Sequence, residues 1–480
     1  MTNTDQPTLL HAHYATLQTF WESVLERTGF SAIVLGAGSQ QFHFHDDQGP
    51  AFRPNPLMVQ WLAKQHIGEN AWLVVRQGTT PTLFFHQPDD FWHAATPAPM
   101  HLSTHMDIQV FADLDALKGR LVQEVSKHLE GKHRVAQISE RDDAVTDRCV
   151  LNPPNVIHAL HFQRACKTEY ELTLMRQASE QGARGHKAAE AAFASGASEF
   201  GIHLAFLEAS SMNEWQLPYG NIVAQNQHAS LLHYQYQDRK PAAEMNSLLI
   251  DAGANVDGYA SDITRTYVGP RCYSAEAASL FEALLVRMQD HQNDLINQVT
   301  PGANYVDLQA AMHRSLANIL VDTNLLACSA DEAFDTELTV PFCPHGLGHL
   351  LGIQVHDVGG QQLDIEGHVA PPPAPYASLR LTRPLTEDMV ITVEPGLYFI
   401  SMLLKEKRAA NAPINWSLVE LLTPFGGIRI EDNVRLLPAG AGVENLTRDA
   451  FAKVRGSQRA PSTRSTNRKR REQASIQPSY

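Results

Sequence analysis

The segment Asn246 to Val268, NSLLIDAGANVDGYASDITRTYV, limits what this chain can fold into more than any other stretch. Leu248-Leu249-Ile250 and Thr264 to Val268 are strand-like runs, and Asn255 to Gly258 between them supplies turn residues. The segment therefore predicts a hairpin, in one of two registers. A loop at Val256-Asp257 sets Asp251 opposite Asp262, whereas a loop at Asp257-Gly258 sets Asp251 opposite Thr264 and leaves Asp262 two positions away. Strand side chains alternate with period two, so both registers put the two aspartates on one face. Like charges that close repel unless a proton or a metal lies between them.

Two further acids lie in strand-like runs. Glu394 ends Val390-Ile391-Thr392-Val393-Glu394, and Glu431 shares a face with Arg429 in Gly427-Ile428-Arg429-Ile430-Glu431. A carboxylate among β-branched residues is a poor strand choice without a partner. The fifth element is Pro344-His345-Gly346-Leu347-Gly348-His349-Leu350-Leu351-Gly352, followed by Val355-His356-Asp357. Its two histidines have the spacing of a zincin helix, but the glutamate is missing and Gly346 and Gly348 lie between the histidines, so irregular backbone is expected instead. Asp251, Asp262, His349, Glu394 and Glu431 form a thiolate-free set of four carboxylates and one imidazole. That set suits hard or borderline divalent ions, and four negative charges balance two of them. Two such ions can share a hydroxide and polarise a carbonyl.

The chain's 480 residues exceed one ordinary core, which predicts two domains. Residues 1–165 read as a small α/β domain, with strands at Ala32 to Leu35 and Ala71 to Val75 and a helix over Leu114 to Leu129. A loop is expected at Pro153-Pro154, and one long helix or a pair over Lys167 to Ala194. Residues 166–450 carry every chemically suggestive motif, and residues 451–480 read as a basic, disordered tail. From Lys453 onward, eight basic residues face one acid, Glu472; that net +7 leaves -21 on the rest of the chain. The overall charge of -14 argues against nucleic acid as a partner. No apolar run of membrane-spanning length and no signal-peptide pattern occurs, and the five cysteines are scattered, so a reducing, cytoplasmic setting is expected.

At these residues the sequence resembles the pita-bread metallopeptidases, the family of prolidases, aminopeptidases P, creatinase and methionine aminopeptidases. Five segments match in order: DAG at Asp251, SDITRT at Asp262, HGLGH at His345 to His349, TVEPG at Glu394 and RIED at Glu431. HGLGHLLGIQVHDVGG, LRLTRPL and the stretch Phe42 to Trp61 resemble the bacterial Xaa-Pro dipeptidase branch, which includes organophosphorus acid anhydrolases. The resemblance implies a creatinase-like α/β N-terminal domain and an α+β pita-bread catalytic domain. It implies that Asp251, Asp262, His349, Glu394 and Glu431 bind two divalent ions, most often Mn²⁺, with Glu394 also taking the proton of the attacking water. His233 and His356 are implied as catalytic. His233, His345, His356, Tyr219 and Arg380 are implied to bind substrate, and Arg429 and Thr264 to orient the ligands.

The implied reaction is hydrolysis of Xaa-Pro dipeptides, with Arg380 desolvated and pairing with the free carboxylate of proline. A side activity on organophosphates is implied as well. Also implied is a homodimer in which Asp46 or Asp47 enters the partner's site. The competing readings are an aminopeptidase P, which has no use for a carboxylate-binding arginine, and a non-catalytic pita-bread binding domain, which would have lost ligands.

Overall fold

In the computed structural model, residues 6–129, 131, 133–140, 144–438 and 441–459 are described. Near the N-terminus the hydrophobic runs assemble into a six-stranded mixed sheet. Its strands are β1 (Ala32–Gly36), β2 (Trp72–Arg76), β3 (Thr82–His86), β4 (Asp107–Phe111), β5 (Val135–Ile138) and β6 (Val150–Leu151), in the order β4-β3-β2-β1-β5-β6. β1 is buried along its whole length, which requires cover on both faces. Period-two alternation supplies it. Ile33 and Leu35 join Leu17, Trp21 and Val24 of helix Gln6–Thr28, while Ala32 and Val34 join Leu117, Leu121 and Val125 of helix Leu114–Ser126. Pro153 and Pro154 do not form a free loop. Pro153 is the N-cap of helix Pro154–Arg164, whose first turn tolerates proline because its N–H groups lack intrahelical partners.

Lys167 to Ala194 forms one helix, Glu169–Ala194, opened by a capping box between Thr168 and Glu171. Beyond it, β7 (Ile222–Gln225), β8 (Met245–Asp251), β9 (Asn255–Val256), β10 (Tyr259–Ala260) and β11 (Thr264–Arg271) follow. The hairpin takes the second register: Asp251 pairs with Thr264, and Val256 pairs with Tyr259 across a turn at Asp257-Gly258. Both turn residues have positive φ, at 52° and 100°, the geometry that twists with the flanking strands. The remaining strands are β12 (Val390–Val393), β13 (Gly396–Tyr398), β14 (Gly427–Arg429), β15 (Asp432–Leu436) and β16 (Val443–Asn445). They pair as β12-β15-β16 and β13-β14. Helices Ala275–Ile296 and Tyr305–Asp322 bury Phe281, Leu284, Met288, Met312 and Leu316 against Ile391, Val393 and Ile428 in the largest core of the chain.

The tail differs from its sequence reading at its start. Residues 451–459 continue helix Leu446–Arg459. Phe451 and Val454, three positions apart, pack on Ala183 and Ile263, so their apolar stripe overrides the basic composition. The rest of that reading falls on residues outside those described. Among the described residues, no helix is long and apolar enough to cross a membrane.

Candidate metal centre and substrate cleft

The five predicted ligand residues come from four separated pieces of chain and line one cavity of about 290 Å³. Asp251 ends β8, and Asp262 precedes β11 on the same hairpin. Glu394 follows the last residue of β12, where the chain leaves one sheet for β13. Glu431 lies between β14 and β15 and pairs with Thr264 as an isolated bridge. His349 sits in irregular backbone, as the glycines predicted. A Cβ on Gly348 would lie 2.1 Å from the Thr392 carbonyl, so only glycine lets the loop approach β12 this closely.

Asp251, Asp262, His349 and Glu431 are all buried. His349 Nε2 lies 3.5 Å from Asp262 and 3.7 Å from Glu394. One donor atom each from Asp262, His349 and Glu431 falls within a 4.8 Å cluster. His349 Nδ1 is 2.9 Å from the Leu350 carbonyl, a contact that turns Nε2 toward Asp262 and Glu394. Arg429 and Thr264 hold the carboxylates. Arg429 Nη2 donates to Asp251 at 2.7 Å and its Nε to Thr264 at 3.2 Å, while Thr264 donates to Glu431 at 2.7 Å.

Burial raises Glu394 to about 7, with Asp262 and Asp251 adding repulsion that His349 and Arg429 only partly offset. Glu431 is pushed well up by burial and by Asp262, Glu394 and Asp251. Asp251 is also raised by burial. Burial would raise Asp262 too, but the hydrogen bond and charge of His349 outweigh it and lower the group. Four carboxylates therefore crowd one site with too little positive charge. Such a donor set fits divalent cations, whose charge would offset the repulsion.

Around this core, His233, His345, His356 and Arg380 line the same cavity. His345 Nε2 meets the Tyr398 hydroxyl at 2.9 Å, and that hydroxyl accepts from Arg429 at 2.9 Å. Desolvation, then the charge of Arg429, holds His345 at about 4. The His356 ring meets the His349 ring edge-on at 4.5 Å. Its loop is pinned by the adjacent Asp357, a buried carboxylate bound by Arg164 at 2.5 Å and Lys167 at 3.3 Å. His233 and His356 are exposed toward solvent.

Two placements depart from the sequence reading. Arg380, expected to be desolvated, is exposed in the isolated chain. It has no ion-pair or hydrogen-bond partner for its guanidinium among the described residues. Tyr219, expected with the substrate groups, directs its hydroxyl to Asp251 at 2.7 Å and Asp262 at 2.6 Å. Its ring still lines a second, larger cavity of about 760 Å³, which shares His233, Asp251, Asp262 and His356 with the first and reaches Arg53 and Lys64 of the N-terminal unit.

Sequence reasoning missed Tyr398 and Thr392. Thr392 accepts the His349 backbone N–H at 3.0 Å and lies 3.5 Å from Glu394. Its place two residues before Glu394, on the same strand face, was the available signal.

Residues 173–437 match the metallopeptidase family M24, and residues 8–162 match the N-terminal domain of Xaa-Pro dipeptidase. An Xaa-Pro dipeptidase of Stenotrophomonas maltophilia is 40% identical over 95% of this chain and 100% of its own length. One from Xanthomonas euvesicatoria is 41% identical over 92% of this chain and 97% of its own length. Among solved structures, aminopeptidase PepP of Pseudomonas aeruginosa superposes with a TM-score of 0.70 at 22% identity, covering 93% of this chain and 98% of that one. Zinc-substituted aminopeptidase P of E. coli in complex with product gives 0.67 at 21%, covering 95% and 99%. These structural likenesses establish the fold: an α/β N-terminal domain followed by a pita-bread domain. With the profile spanning more than half of the chain and relatives at about 40% identity along nearly all of it, this protein belongs to the metallopeptidase family M24.

Proposed function

We propose that this protein is a metal-dependent dipeptidase that hydrolyses Xaa-Pro dipeptides. The observation that carries the reading is one cavity holding both a five-residue ligand set and an unpaired arginine. The 40% identity to an Xaa-Pro dipeptidase over 95% of the chain supports it. In this reading Asp251, Asp262, His349, Glu394 and Glu431 hold two divalent ions, with Mn²⁺ as the native metal. When bound, the ions supply Lewis acidity that polarises the scissile carbonyl and acidifies water. Glu394, the least enclosed of the four carboxylates, accepts the proton of the attacking water and passes it to the proline nitrogen as the bond breaks. His356, neutral near pH 7, stabilises negative charge on the carbonyl oxygen. The His345 ring, held between the Gly346 carbonyl and the Tyr398 hydroxyl, lines the substrate side of the cavity. His233 holds the substrate from the outer wall. Tyr219, Arg429 and Thr264 fix the carboxylates from behind.

The division into residues 1–165, 166–450 and 451–480, the homodimer with an acid from Asp46 or Asp47, and a cytoplasmic setting belong to the same proposal. The supporting features are the exposed loop around Asp46 and Asp47 and the five unbridged cysteines.

Arg380 is assigned to the carboxylate of the C-terminal proline. Guanidinium pairs with carboxylate through two parallel hydrogen bonds. A dipeptide presents that group one residue after the scissile bond; a longer peptide presents an amide. Because Arg380 is exposed before substrate binds, its loss should cost less than stripping a fully buried pair, about 10- to 30-fold in kcat/KM. Arg380→Ala should show that loss on Ala-Pro and far less on Ala-Pro-amide; equal losses on both would remove the anchor role.

The function itself is tested by a panel of Xaa-Pro dipeptides and Xaa-Pro-Yaa tripeptides on metal-loaded protein. Proline release from the dipeptides with little tripeptide cleavage is expected. Efficient cleavage of the tripeptides would move the reading to aminopeptidase P.

A further inference from the structure

Two fully buried amides, Gln292 and Asn433, grip the backbone that carries three of the carboxylates, yet neither lines either cavity. Gln292, on helix Ala275–Ile296, donates from Nε2 to the Val393 carbonyl at 2.9 Å and to the Ile430 carbonyl at 3.3 Å. These are the carbonyls immediately before Glu394 and Glu431. One side chain thus joins two strands at the points where their carboxylates project. Asn433 grips the third. With its amide turned so that each end meets a complementary partner, its nitrogen donates to the Asp262 carbonyl at 2.6 Å and its oxygen accepts the Asp262 N–H at 3.2 Å.

Both amides are keyed to the start of helix Leu446–Arg459. Arg448 Nη2 donates to Gln292 Oε1 at 2.7 Å, which orients the amide so that its nitrogen faces the two carbonyls. The Asn433 backbone N–H donates to Thr447 Oγ1 at 2.9 Å. Asp432, buried between them, accepts from Arg448 and Arg265, each at 2.7 Å. Arg265 in turn donates to the Thr264 and Glu431 carbonyls, both at 2.8 Å.

We propose that Gln292 and Asn433 are positioning residues that set the spacing of Asp262, Glu394 and Glu431, and that Thr447 and Arg448 lock them from the C-terminal helix. The inference rests on the reading that these carboxylates hold metal. The physical reason is that a short carboxylate side chain follows its backbone. A two-ion centre needs its donors held to within a fraction of an ångström, and partners behind the ligands supply that restraint. Hydrogen bonds to the peptides do so without withdrawing electron density from the carboxylates themselves.

The test uses Mn²⁺ as the probe on metal-stripped full-length protein. Wild type, Gln292→Met and Arg448→Met are titrated with Mn²⁺ against a chelating dye. Metal-free thermal unfolding and the electron paramagnetic resonance spectrum of the loaded protein are recorded in parallel. Lys453→Ala is the control, on the same helix but paired with Glu180 at the surface. Wild type and the control should bind two ions per chain with an exchange-coupled spectrum. Gln292→Met should bind at least one ion about 10- to 100-fold more weakly, with the coupled signal giving way to isolated-ion lines. Arg448→Met should shift in the same direction. If Gln292→Met fails to fold, Arg448→Met decides, since its side chain is 41% exposed and its loss keeps the Gln292 bonds to the Val393 and Ile430 carbonyls and the Arg265 bond to Asp432. Folded variants that bind both ions with wild-type affinity and coupling would overturn the proposal. A wild type that does not bind two ions would instead overturn the metal reading.

Discussion

Asp262→Asn and Glu431→Gln should each reduce Ala-Pro turnover to background while the protein remains folded. Each exchange removes a negative charge and almost no volume. Both residues are buried and face His349 across the same cluster. In the metal-free protein the loss of Glu431 relieves repulsion among crowded carboxylates, so the unfolding temperature of Glu431→Gln should hold or rise. Its neighbours already push its carboxyl well above the ordinary range. Asp262→Asn also gives up the His349 pair that lowers Asp262, so its unfolding temperature should not rise. At Glu431, opposite signs on stability and activity separate a ligand from a structural carboxylate. Isothermal metal binding and steady-state kinetics on the same samples provide the check. Either variant retaining near wild-type kcat at saturating metal would show that the ligand set is misassigned.

A second large effect is expected at His356. His356→Ala should lower kcat by about 10²- to 10³-fold, the range for removing one donor to a developing oxyanion, with metal content unchanged. The geometry makes this variant clean. The neighbouring Asp357, not His356, fastens the loop, through Arg164 and Lys167. The imidazole itself is exposed into the cleft, so truncating it removes a donor and leaves the anchorage intact. Desolvation and the charges of His349 and Arg380 hold its pKa at about 4, so the group is neutral throughout the working range. The pH profile above about 5 should therefore keep its shape in the variant while falling in height. A variant that lost metal along with activity would move His356 into the ligand set.

What the sequence revealed and what it hid follow from the range of the contacts. The Asp251–Asp262 hairpin was readable because strand period and turn chemistry are local. Asp257-Gly258 resolves the register because those residues adopt positive φ at low cost. His349 was readable because the glycines around it announce a close backbone approach, which Gly348 makes against Thr392. Glu394 and Glu431 were legible as misplaced strand carboxylates, although both fall just past their strands, where pairing passes from one sheet to another.

The layer behind these groups was not legible. Tyr398, Gln292 and Asn433 carry nothing in their local pattern that separates them from ordinary core residues, and Tyr219 came only through the family resemblance, in a substrate role rather than against Asp251 and Asp262. Arg380 was found by its motif but misjudged in exposure, because solvent access at a cleft rim depends on the whole surface. The tail was judged by charge, whereas two apolar residues three apart were enough to fold its first turns.

The central claim is tested most directly by titrating the metal-stripped enzyme with Mn²⁺ while following proline release from Ala-Pro. Turnover should start from background, rise with added metal and saturate near two ions per chain. Full turnover in stripped protein, or none at any metal concentration, would contradict it.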